Sequence, residues 1–141
     1  MTSRHPDVPA DLLAVVRTAC LGLPEVHEEA AWLGTRWRIR KKTFAHILMV
    51  DGGRPAAYAR AAGSDGPICV LTFRSWLAEF EPDSFRQPPF FRPGWWPDIV
   101  GMVLAAPVDE TEVAALLAAS YRVMAPQKLA RSIALTPRSV P

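Results

Sequence analysis

The chain has 141 residues, half of them hydrophobic and 21% charged, with a formal net charge of +2. That composition excludes a disordered chain, which is apolar-poor and charge-rich, and the length suits one domain, the usual range being roughly 100–200 residues. Uncharged stretches such as 99–108 fall short of the ~20 residues a spanning helix needs, and the opening MTSRHPDVPADLL carries acids and prolines before any apolar run, unlike a secretion signal.

Asp7-Val8-Pro9 reads as a helix start, a capping acid followed by a proline in the first turn. Leu12, Val15, Val16, Ala19, Cys20 and Leu23 keep a helical period on one face, and Gly22 and Pro24 stop it, which predicts a helix over about 9–21. The period then changes to two. In residues 35–40, Trp37 and Ile39 share one face and Arg36, Arg38 and Arg40 the other, so a half-buried strand with a basic outer face is expected. Lys41-Lys42 is a turn, residues 44–50 a second strand, and Asp51-Gly52-Gly53 the turn that closes it. Residues 56–61 read as a third strand and 68–73 as a fourth. Their connections are too short for crossover helices, so the pairing is expected to be antiparallel.

Ser75 is placed to cap a short helix to residue 80. Between Pro82 and Pro97 stand five prolines, with Phe85, Phe90, Phe91, Trp95 and Trp96 among them. Such a stretch is neither helix nor central strand, and its aromatics predict an ordered loop pinned to the body. Residues 99–104 form a fifth strand. Asp109 with Glu112 three residues on is a capping box, and Val113, Leu116, Leu117, Ser120 and Tyr121 give the packed face of the last long helix. Pro126 starts a final turn carrying Lys128 and Arg131. The sum is an α+β fold: an antiparallel sheet of about five strands with the N- and C-terminal helices on one face. One domain is expected over 1–141, with its core at about 9–131 and an irregular tail over 132–141.

Three phrases, in order, resemble the MmcQ/YjbR family. Leu23-Pro24-Glu25-Val26-His27-Glu28-Glu29 is similar to the segment that closes its first helix. Residues 38–45, RIRKKTFA, are similar to its basic hairpin. Residues 108–113, VDETEV, with 120–129, SYRVMAPQKL, are similar to its closing helix and tail. The resemblance implies a CyaY-like (frataxin-like) fold and a DNA-binding role. The chain departs from the family where Lys41 replaces the usual glycine before the hairpin lysine, and where Trp95-Trp96-Pro97 leads into the last strand.

The small net charge conceals two basic segments. Residues 36–60 hold seven basic groups and one acidic, and residues 113–141 hold four basic and none. Asymmetry of this kind speaks to partners. Arg36, Arg38, Arg40, Lys41 and Lys42, with Lys128 as an outlier, are therefore the candidate nucleic-acid contacts, since cations ~7 Å apart along a strand can meet successive phosphates. The expectation is a non-enzymatic module that binds DNA. The alternative is a small planar ligand or a protein held by Trp37, Phe91, Trp95 and Trp96. No motif for nucleophile, phosphate loop, dinucleotide or metal is present, so no catalytic residue, metal or cofactor is expected. Cys20 and Cys69 read as buried, reduced thiols, which suits a cytoplasmic monomer or homodimer with no membrane association.

Overall fold

A computed structural model describes residues 5–133, so the first four residues and all but the first two residues of the expected tail over 132–141 lie outside the described residues. In chain order the elements are α1 (Ala10–Leu21), β1 (Val26–Ala30), β2 (Thr35–Ile39), β3 (Lys42–Val50), α2 (Ala56–Ala62), β4 (Ile68–Arg74), α3 (Trp76–Phe80), β5 (Phe90–Phe91), β6 (Ile99–Leu104), α4 (Glu110–Met124) and α5 (Gln127–Ser132). The strands form one antiparallel sheet in the order β1-β2-β3-β4-β6-β5. Among the described residues no helix is long and apolar enough to cross a membrane.

Strand alternation sorts the side chains onto two faces. On one, Trp37, Ile39, Ile47, Leu71, Phe73, Val100 and Met102 meet Leu12, Val16 and Cys20 of α1 and Val113, Leu117 and Tyr121 of α4. Most of these are fully buried, and each large apolar side chain so buried contributes about 1.5–3 kcal/mol. On the other face, α2 lays Ala59 over Val50 and Val70, with Tyr58 and Phe91 alongside. α4 starts as its sequence predicts, with Asp109 Oδ1 accepting from the Glu112 amide at 3.0 Å.

Four local expectations need correction. Residues 56–61 are not a strand but the helix α2. The segment AAYARAA is rich in alanine, the best helix former, and it runs from Pro55 to a left-handed Gly63, the usual proline-in, glycine-out pattern. Two strands were not expected. β1 is an edge strand with half-exposed positions on both faces, so it shows no alternation, and β5 is only two residues long. At α1 the cap position falls on Pro9 rather than Asp7, with no side-chain cap bond. Arg40 leaves β2, with φ 57°, so the turn comprises Arg40 and Lys41, while Lys42 already belongs to β3.

A bulge shapes the centre of the sheet. Trp37 pairs with Ala45 and Arg38 with Thr43, which leaves Phe44 as an extra residue. Its ring turns into the core and meets Tyr121 edge-on at 5.6 Å. Ala45–Phe73 is consequently the last β3–β4 pair. Beyond it the hydroxyl of Ser120 fills the gap from the helix side, donating to the Phe44 carbonyl at 2.6 Å and accepting from the Arg74 amide at 2.8 Å.

Candidate functional site

The basic hairpin is built by β2, its turn and the start of β3. Arg36 and Arg38 point away from the α1/α4 core, as their alternation requires. There both reach Glu29 of β1. Arg36 lies directly opposite Glu29 in the register and donates from Nε at 2.6 Å, and Arg38 donates from Nη1 at 3.2 Å. Desolvation raises the Glu29 pKa, but the hydrogen bonds and charges of the two arginines outweigh it and hold the carboxyl below its usual value. Arg38 also donates from Nη2 to the Lys41 carbonyl. Its Nε is buried without a hydrogen-bond partner. Arg40, turned away in the left-handed region, pairs with Glu25 at 3.2 Å. Lys41 and Lys42 are exposed at the tip and hold no ion pair among the described residues. Lys42 stands opposite Ile39, on the helix-facing side of the sheet.

Beside Arg36 lies a groove. Arg36 is the register partner of His46, and His46 lines a cleft of about 150 Å³ together with Thr43, Tyr58, Thr72, Arg74 and Trp95. The cleft sits where the bulge parts β3 from β4. Tyr58 and Trp95 in its wall are 4.8 Å apart, and Trp32, outside the lining, packs beside them at 6.2 Å from His46 and 6.1 Å from Tyr58. His46 is fixed from both sides, with Nε2 2.7 Å from the Leu33 carbonyl and Nδ1 3.4 Å from the Tyr58 hydroxyl. The arrangement suits a neutral ring that donates to the carbonyl and accepts from the phenol. Burial, and to a lesser degree the charge of Arg36, lowers its pKa despite the carbonyl contact. Arg74 is held at the rim by Asp98 at 2.7 Å.

The depressed His46 pKa carries a signed consequence. The unfolded chain takes up this proton near pH 6.5 while the native state resists it, so stability falls as pH drops below about 6.5. Thermal melts over a pH series are expected to show that decline, and His46→Gln to flatten it in the same window. A slope confined to the carboxylate range would show that His46 contributes nothing.

The hairpin, the groove and the sheet that carries them lie within residues 21–123, the span matched by the YjbR family model. The chain belongs to the YjbR family. No curated protein and no solved structure gives a significant match to it. The YjbR span covers all six strands, α2, α3 and most of α4, and it leaves Lys128 outside.

The YjbR sheet separates residues that the sequence had grouped. Arg36 and Arg38 occupy one face, whereas α5, which carries Lys128, packs through Leu129 against the core of the other. Arg36 and Arg38 therefore do not share a sheet face with α5, whereas Lys42 stands on the helix-facing side. Trp37 is no ligand wall. It is fully buried in the helix-side core, and its indole N–H donates to Glu28 at 2.9 Å. Glu28 in turn holds Arg17 of α1 through both carboxylate oxygens, and chiefly that bond lowers its pKa. Phe91 lies against Gly101, where a Cβ would sit 2.2 Å from its ring. Trp95 does line the cleft, and Trp96 is largely exposed. Residues not foreseen at the site are Trp32, Tyr58, Glu25 and Glu29. Their signal was present in one place: VHEEA sets an acid opposite an arginine of TRWRI once the two strands pair.

Proposed function

We propose that this YjbR domain is a non-enzymatic nucleic-acid-binding module, acting on DNA in the cytoplasm, with the β2–β3 hairpin as its cationic element. The observation that carries the reading is five cations within residues 36–42, faced among the described residues by only Glu25 and Glu29, with Lys41 and Lys42 in no ion pair there. Buried, unpaired Cys20 and Cys69 suit a reducing compartment, and burial pushes the Cys69 thiol up to about 12, well away from the reactive thiolate.

The test is fluorescence anisotropy with a labelled duplex over a series of salt concentrations. Each phosphate contact adds about 0.9 to the slope of log affinity against log salt. The double variant Lys41→Ala/Lys42→Ala is expected to bind more weakly, with a slope smaller by about 2. Glu29→Gln is expected to do the reverse, because it releases Arg36 and Arg38. Wild-type affinity and slope in both variants would overturn the reading. A second reading, a small planar ligand in the cleft, is favoured by the Tyr58–Trp95 wall. Tryptophan quenching by such a ligand, in a protein without affinity for nucleic acid, would support it.

A further inference from the structure

We propose that the basic hairpin and the aromatic groove form a single site for single-stranded nucleic acid, with bases on Trp32 and Trp95 and phosphates at Arg36 and Arg38. The inference rests on the nucleic-acid reading above and specifies its substrate. Two large indoles stand open on this face, Trp32 at 70% and Trp95 at 38% exposure. Tyr58 lies between them, 6.1 Å from one ring and 4.8 Å from the other, so they are at most 10.9 Å apart. That upper limit corresponds to about three stacked nucleotides at ~3.4 Å each, so the two rings could serve bases of one short stretch of strand.

Their aromatic neighbours meet them at steep angles, and Trp32 in particular keeps most of its surface in solvent. Trp32 meets His46 at 69° and Tyr58 at 54°, and Trp95 meets Tyr58 at 67°, so none of these partners stacks flat on an indole. An exposed ring face is what an unpaired base requires. A duplex keeps its base faces inside and offers only edges and phosphates. Stacking on an aromatic is worth roughly 5- to 150-fold in affinity per base and tolerates any sequence.

The cations stand in reach of such a strand. Arg36 is the register partner of His46, against which Trp32 packs. Its Nη1 lies outside the contacts with Glu29, which involve Nε and Nη2. Between cations and indoles, the hydroxyls of Thr43 and Thr72 line the cleft and supply donors and acceptors for sugar or base edges. Aromatic rings that follow a cationic track are the combination by which proteins hold single strands without reading sequence.

The experiment titrates the whole chain with labelled oligo-dT, oligo-rU and a duplex of equal length, at one low salt concentration, alongside free dTMP. Both single strands are expected to bind at least about tenfold tighter than the duplex. Trp32→Ala and Trp95→Ala are each expected to lose about fivefold or more on the single strands, with duplex affinity kept within about twofold. Trp32 is the safer variant, since its exposed ring contributes little to folding, and circular dichroism checks both. A duplex bound as tightly as the strands, with both tryptophan variants indifferent, would overturn the single-strand inference and leave the cationic hairpin standing. No binding to any nucleic acid would remove both. Quenching by dTMP equal to that of the strand, base for base, would overturn it in favour of a small ligand.

Discussion

Trp37→Ala is expected to remove about 3–5 kcal/mol of stability, the range for truncating a buried tryptophan or phenylalanine. Domains of this kind have about 5–15 kcal/mol in all, so the variant should be largely unfolded at modest denaturant. Two effects add. The first is volume: Trp37 is the largest fully buried side chain, and its loss opens a cavity between β2 and α1. The second is polar. The indole N–H donates to Glu28, which also holds Arg17, so truncation removes one donor from a carboxylate that ties β1 to α1. Trp37→Phe keeps most of the volume and loses only that donor, so it is expected to fall well short of the alanine effect. Urea titration with both variants separates the two contributions. Fluorescence gives an independent sign. The other four tryptophans are all substantially exposed, so Trp37→Phe is expected to shift the folded emission to the red. A denaturation midpoint unchanged in the alanine variant would contradict the packing described for the helix-side core.

The second large effect is expected at Gly34, in the turn that carries Trp32. Gly34 has φ +74°, and a Cβ there would lie 2.0 Å from the Ile47 carbonyl oxygen, a backbone atom that cannot swing aside. Alanine in the left-handed region costs about 1–2 kcal/mol without any clash. The contact adds to this, because the turn must lift off β3 to relieve it. Lifting takes the Leu33 carbonyl away from His46 and Trp32 away from Tyr58. Gly94→Ala is the control: its φ is +81°, and nothing lies within 4 Å of the added Cβ. The difference between the two variants in thermal or chemical unfolding therefore isolates the close approach. Gly34→Ala is expected to be the more damaging by a clear margin, with a total above about 2 kcal/mol. Equal losses in the two would mean that the turn does not pack on β3.

The elements that could be read from the sequence are those whose burial is one-sided or whose ends are signed. α1 and α4 show a helical period, and β2 and β3 are separated by a basic turn. α4 begins at the Asp109 cap as expected. β1 is hidden because an edge strand half in water needs no alternation, and α2 resembles a strand because periodicity says little over seven residues of mostly alanine. The candidate site divides in the same way. Its cations are a local property of residues 36–42. Their neutralisation by Glu25 and Glu29 depends on how β1 pairs with β2. The cleft depends on a one-residue bulge at Phe44 and on a hydroxyl 76 residues away, at Ser120. Neither leaves a mark in composition or spacing.

Glu29 sets a threshold on what this face can hold. An incoming anion finds Arg36 Nη1 open, but to engage the rest of the two guanidinium groups it must displace a carboxylate that is already seated and cannot diffuse away. That tethered carboxylate competes at a high effective concentration. A single phosphate or acetate that displaces it gains little, since one charge contact replaces another. For the polyanion proposed above, Lys41 at the tip would offer a first contact and the arginines a second, intramolecular one. On the nucleic-acid reading proposed above, one acid on an edge strand would thus make the face selective by valency, favouring chains of charge over solitary anions.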